Sequence, residues 1–184
     1  RGVRPQLCEQ RLKPIRAQLQ STRHLPILET RTQRWPDEAA CAASAAALAR
    51  HAGLADAFIE LHGPLGAGKT TFVRHLLRAL GVQGRVKSPT YTVMEPYALP
   101  GPAGQAGLQI SHFDFYRFND PREWLDAGFR DVFAEPGLKL AEWPDKAQGL
   151  LPVPDLRLHI EPGDAEQRRV RLDAFTPRGL ELLA

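Results

Sequence analysis

The sequence predicts an α/β fold, a three-layer sandwich with a partly parallel sheet and a late β-hairpin. Three observations carry that prediction. Short strand-like segments alternate with helical patterns along the chain. A glycine-rich turn, Gly63 to Gly68, sits between one such strand and one such helix. Two later alternating segments flank Glu161-Pro162-Gly163-Asp164, as the arms of a hairpin do.

Taken in order, Pro36-Asp37-Glu38 reads as a helix start, with proline early and acids in the first turn. The alanine-rich run continues to Arg50 or His51, and Gly53 ends it. Ala57 to His62 reads as a short buried strand. After the glycine turn, Phe72, Val73, Leu76, Leu77 and Leu80 share one helical face, and Gly81 stops it. Val86 to Tyr97 has extended character, interrupted by Pro89 and Pro96. Leu99 to Gly107, with two prolines and three glycines, is a loop. Leu108 to Asp114 and Leu138 to Trp143 are strands, separated by a short helix from Asp120 to Ala127. Leu156 to Ile160 and Arg169 to Ala174 form the hairpin, and Pro177 to Leu183 a final helix.

Composition bounds the function. Of 184 residues, 43% are apolar and 24% charged, which excludes wholesale disorder and fibrous classes. The longest apolar stretch, Ala39 to Ala49 broken by Ser44, is too short to cross a bilayer. Cys8 and Cys41 support neither a disulfide framework nor a four-cysteine zinc site, so the chain reads as cytoplasmic. The net charge of +3 is unevenly spread: residues 1–34 carry +6 and residues 35–184 carry −3. The sequence therefore divides into a basic, poorly ordered extension over 1–34 and one domain over 35–184. A membrane and DNA are both excluded as expected partners.

Gly63-Pro64-Leu65-Gly66-Ala67-Gly68-Lys69-Thr70 fits G-x-x-x-x-G-K-[ST] in full. The glycines let backbone N–H groups turn inward around phosphates, and the following helix N-terminus adds positive potential. Lys69 would reach the outer phosphates, and Thr70 would offer a hydroxyl to Mg²⁺. The remaining loop positions, Leu65, Gly66, Ala67 and Thr71, complete the nucleotide cradle. Asp114 ends a strand and is the expected second metal group. Glu142 ends another, at the sheet edge where α/β ligands bind, and would orient water or tune the metal shell. Thr90, within Ser88-Pro89-Thr90-Tyr91, would sense a γ-phosphate as switch segments do. Trp143 reads either as a stacking group near nucleotide or as core, and His112 as a packed histidine.

Together these residues resemble the TsaE family, also called YjeE. The carrying motifs run from Leu65 to Phe72, then Lys87-Ser88-Pro89-Thr90-Tyr91-Thr92, then Glu95-Pro96-Tyr97. His112-Phe113-Asp114-Phe115-Tyr116-Arg117 and Glu142-Trp143-Pro144 follow. The resemblance spans roughly residues 35 to 184 and implies a small P-loop NTPase-like fold. It implies a weak, Mg²⁺-dependent ATPase of tRNA threonylcarbamoyladenosine biosynthesis, with ATP on Lys69 and its loop, and Mg²⁺ on Thr70 and Asp114. Glu142 is implied in ATP turnover and Thr90 in a switch-like loop. The implied partners are TsaB and TsaD, which perform the threonylcarbamoyl transfer, so that tRNA is met through them. Pro64 stands where the family often has an acid or polar residue.

A small-molecule or nucleoside kinase would share the loop and Asp114, but would usually bring an arginine-bearing lid. Arg122 and Arg130 lie in a suitable region without a lid signature. A non-catalytic assembly factor that binds ATP to expose an interface is a further alternative. A guanine-reading N-K-x-D motif and an ABC signature are both missing from the sequence.

Overall fold

The computed structural model describes residues 26–101, 107–120 and 122–184. One sheet of seven strands organises them: β1 (Glu29–Trp35), β2 (Phe58–His62), β3 (Met94–Leu99), β4 (Leu108–Asp114), β5 (Leu138–Glu142), β6 (Leu156–Pro162) and β7 (Arg168–Ala174). Their order across the sheet is β1-β7-β6-β2-β5-β4-β3. The centre is parallel: β2 pairs with β5 and β6, and β4 with β5. The flanks are antiparallel, with the β6–β7 hairpin extended by β1, and β3 beside β4.

Two helices cover one face. α1 (Glu38–Leu48) starts at Asp37, whose carboxylate accepts from the Ala40 amide at 2.8 Å. Such a cap contributes about 1 kcal/mol. Its alanines have high helix propensity and small volume, so α1 buries Cys41, Ala45 and Leu48 in close contact with the next helix. α2 (Lys69–Ala79) buries Phe72, Val73, Leu76 and Leu77, which lie one helical turn apart in pairs. Trp35, at the end of β1, stacks on Phe72 with centroids 5.5 Å apart. Beneath them lie Ile59, Leu61, Leu140, Leu158, Ile160 and Leu172.

Among the described residues, the second face is covered only at its β5–β4 end. There α3 (Arg122–Asp126) and α4 (Phe129–Ala134) close an aromatic core with Phe58, Phe113, Phe115, Phe118, Trp124 and Phe129. Packing between rings adds about 0.5–1.5 kcal/mol per pair to the burial of their area. α5 (Pro177–Leu183) closes the chain, capped by the Thr176 hydroxyl. No described helix is long and apolar enough to cross a membrane.

Three expectations need correction. The extension placed over 1–34 overlaps the sheet, because Glu29–Trp35 pairs along its whole length with β7. Its exposed charged and hydroxyl residues hid an edge strand, whose ladder partner lies more than 130 residues later. The rest of that extension, 1–25, lies outside the described residues. The extended segment over 86–97 is a strand only from Met94; before it the chain turns, with Val93 at φ 65°. α4 has no counterpart in the sequence reading, because its six residues are too few for a periodic signal.

On the second face, the His62 and His159 rings stack 4.9 Å apart. Burial, then the charges of His62 and Arg171, push His159 down to about 4 from its ordinary 6.5. A base depressed in the folded state gives stability above pH 6.5 that is lost as pH falls toward 4. His159→Gln should therefore lose less stability on acidification through that window than the wild type. Thermal melts at both ends of the window check this, and parallel losses would contradict it.

Candidate active site

The loop from Gly63 to Thr70 leaves β2 and enters α2. Gly63 has φ 141°, and a Cβ there would lie 2.2 Å from the Ile160 carbonyl oxygen of β6. The loop must therefore pass this close to the sheet edge, and only glycine permits it. α2 begins without a side-chain cap, at Gly68. Its first-turn N–H groups remain directed at the space in front of the loop. Lys69, 4% exposed, donates to the carbonyls of Gly63 at 2.7 Å and Pro64 at 2.9 Å. Its ammonium also sits 3.9 Å above the Trp143 ring. Burial lowers the Lys69 pKa, and the nearby Glu142 and Asp114 carboxylates oppose that shift.

β5 and β4 deliver the acids. Asp114 pairs in register with Glu142, and both are buried at the carboxyl ends of adjacent parallel strands. Glu142 Oε2 accepts from the Thr70 hydroxyl at 2.9 Å, and its Oε1 lies 2.9 Å from His112 Nε2. A carboxylate offers no proton, so Nε2 donates, and Nδ1 of this fully buried histidine is left as an unpaired acceptor. Asp114 Oδ2 accepts from the hydroxyls of Ser88 and Thr90, the latter at 2.9 Å, and Oδ1 accepts from the Tyr116 amide at 2.9 Å. The Ser88–Thr92 segment is thus tied to the same carboxylate edge.

Trp143 takes the left-handed conformation at φ 57°, which is unusual for a bulky residue. That turn swings its ring from the end of β5 over Lys69 and beside Tyr116, 5.0 Å away. The result is a cleft of about 300 Å³ lined by Leu65, Lys69, Thr70, Thr90, Asp114 and Trp143, among others. A second cavity of about 240 Å³ opens on the other flank of the loop, between Gly66–Gly68, Trp35, Asp37 and Arg168. Arg168 Nε donates to the Ala67 carbonyl at 2.8 Å and braces the loop from that side. Cys41 also lines this cavity, but burial and the charge of Glu38 push its thiol up to about 12, which removes it as a nucleophile.

Every residue expected at the site lies in or around this one cleft. Glu142 receives the Thr70 hydroxyl, while Asp114 holds the Thr90 segment. His112 is packed, as expected, but it also fixes Glu142, a role that its shared strand face with Asp114 hinted at. Arg168 gave no signal, because it lies a hundred residues from the loop it braces. Arg122, a candidate lid residue, is held by Asp120 at 2.6 Å.

Among the described residues, no group of three or more His, Cys, Asp and Glu side chains forms a metal cage. Next to Lys69 the cleft offers the Thr70 hydroxyl and the Asp114 and Glu142 carboxylates, with Thr71, Ser88, Thr90 and Tyr116 also on its walls. That sparse oxygen set fits Mg²⁺, which keeps water and takes phosphate oxygens as its other ligands. It does not fit zinc.

Gly63→Ala should lose about 2 kcal/mol or more of stability, because the new methyl meets backbone rather than a movable side chain. Denaturant unfolding measures this; a loss within error would contradict the close approach.

Residues 35–170 match the family model described as "Threonylcarbamoyl adenosine biosynthesis protein TsaE". The tRNA threonylcarbamoyladenosine biosynthesis protein TsaE of Haemophilus influenzae is 43% identical over 126 residues, 68% of this chain and 75% of that protein. The protein of the same name from Bacillus subtilis is 32% identical over 120 residues, 65% of this chain and 71% of its own. Among solved structures, Bacillus subtilis YdiB superposes with a TM-score of 0.66 at 25% identity, over 84% of this chain and 92% of that one.

Proposed function

Because the chain belongs to the TsaE family of tRNA threonylcarbamoyladenosine biosynthesis, we propose that it binds and hydrolyses Mg-ATP in the cleft in front of the Gly63–Thr70 loop. On this reading it works in the cytoplasm with TsaB and TsaD, meets tRNA through them, and leaves the threonylcarbamoyl transfer to them. One observation carries the nucleotide reading: the Thr70 hydroxyl donates to the buried Glu142 carboxylate beside Lys69. A hydroxyl that donates its proton to an acid keeps its lone pairs for a cation.

The protein's own groups then have distinct tasks. Lys69 leaves the Gly63 and Pro64 carbonyls for the outer phosphate oxygens, exchanging two neutral acceptors for charged ones. The uncapped N–H groups of α2 face the same oxygens. Magnesium, when bound, supplies neutralisation of the charge that develops as the γ-phosphoryl group passes to water. Glu142, oriented by His112 and Thr70, lies beside that path. Thr90, tied to Asp114, links the state of the γ-phosphate to the Ser88–Thr92 segment, from which Tyr91 projects 84% exposed. Leu65 and Tyr116 are also exposed at the cleft, so a partner docking there would cover the nucleotide and set its turnover. The cavity by Trp35 and Arg168 adds room for the base on the other flank of the loop.

Phosphate release from Mg-ATP, with and without the TsaB–TsaD pair, tests the reading. Slow release that rises with the pair is expected. Lys69→Ala should lower turnover by about 100-fold or more, the scale of removing a group that stabilises transition-state charge. Activity indifferent to both the pair and Lys69→Ala would refute it.

A further inference from the structure

Among the described residues, no helix covers the sheet's second face over β6, β7 and β1. α3 and α4 cover the β5–β4 end, and the strands β6, β7 and β1 extend beyond them. Alternation along paired strands fixes which residues stand on that open face. Arg34 of β1 lies opposite Arg169 of β7, which lies opposite Glu161 of β6. One step along, Thr32, Arg171 and His159 form the next row, and Thr30, Asp173 and Arg157 the third. Every position on these rows is polar.

The charges are layered. Asp173 is 1% exposed and Glu60, the neighbour of Arg157 on β2, is 5% exposed. Arg171 Nε holds Asp173 at 3.1 Å, and Arg157 Nε holds Glu60 at 2.7 Å. The two carboxylates are therefore sunk, with arginines above them. Arg34 and Arg169 are exposed, and among the described residues neither has a carboxylate within ion-pair distance. Glu161 is the one exposed acid on the rows. Like charges directly opposite on neighbouring strands repel, so the Arg34–Arg169 pair costs stability that a bridging anion would recover. An open trough of about 600 Å³ runs past Arg34, Arg169, Arg171 and His159.

Protein interfaces centre on apolar and aromatic side chains, whereas nucleic-acid interfaces are polar and positively charged. The rows supply only the second kind of surface. The chain's own residues 1–25 carry six basic residues against one acidic, so they are electrostatically mismatched to this face. We propose that the open face of β6, β7 and β1 docks the phosphate backbone of RNA, with Arg34, Arg169 and Arg171 as its principal contacts. The proposal goes beyond the ATPase reading, in which tRNA is met only through the partners, and stands without it.

The test is fluorescence anisotropy of the full chain with a labelled, in vitro transcribed tRNA between about 50 and about 200 mM salt. Wild-type binding should weaken steeply with salt. Arg34→Gln combined with Arg169→Gln should weaken it about tenfold at the lower salt and flatten the log–log slope by about two. The double variant should keep its melting temperature or raise it, because it relieves the repulsion. Glu161→Gln should tighten binding. Absence of tRNA binding by the wild type would overturn the proposal. So would a double variant that binds like the wild type, including the case where only deletion of 1–25 abolishes binding. A double variant that loses the TsaB–TsaD pair but keeps tRNA would assign the face to protein and overturn it equally.

Discussion

Parallel pairing carries β2, β5 and β4 to a common carboxyl edge, where Leu61 stands opposite Glu142 and Glu142 opposite Asp114. A slip of one residue in β5 would turn Glu142 to the aromatic side of the sheet and bring Ala141 to the loop. The register is held by apolar burial on both faces: Leu138 and Leu140 pack under α1 and α2, and Ala141 packs among the phenylalanines of the other side. Because both faces of β5 are buried, the strand has no freedom to shift without exposing one core or the other. The position of two carboxylates beside the Gly63–Thr70 loop is thus set by hydrophobic packing.

Burying those groups has a cost that their mutual arrangement offsets. Lys69, Glu142 and Asp114 are all nearly removed from water. An unpaired charge in such a place is costly, and removing one partner of a buried pair typically loses about 3–5 kcal/mol. Here each carboxylate oxygen of Glu142 has a donor, and those of Asp114 have three between them. Lys69 spends its hydrogen bonds on loop carbonyls and faces the Trp143 ring. The left-handed Trp143 backbone and, among the described residues, the unpaired Nδ1 of His112 both carry a local cost, and both adjoin Glu142. Among the described residues, Trp124 Nε1 and His159 Nε2 are likewise buried without a hydrogen-bond partner, away from the cleft.

The central strands, both covering helices and the hairpin were legible because each has a strong local signal: short apolar runs, a 3.6-residue period, or turn residues between alternating arms. The loop between β2 and α2 was legible because its glycines, lysine and threonine stand at fixed spacing between a strand and a helix pattern. β1 was not, since an edge strand that buries little looks like a charged tail, and its partner β7 lies at the other end of the domain. Pairing choices also stayed hidden. Strand ends placed Asp114 and Glu142 at one edge, but which of them meets Thr70 depends on the strand order, which places β5 between β2 and β4. His112 was read as packing, and its bond to Glu142 depends on β4 lying next to β5.

Thr70, Glu142 and Asp114 converge in the cleft as the oxygen set proposed to make nucleotide binding depend on magnesium. The decisive measurement is calorimetric titration of ATP into the wild type and Glu142→Gln, each with and without Mg²⁺. Magnesium should tighten ATP binding to the wild type, and this gain should shrink in the variant, whose magnesium-free affinity stays close to normal. An equal magnesium gain in both proteins would contradict the assignment of Glu142 to that set.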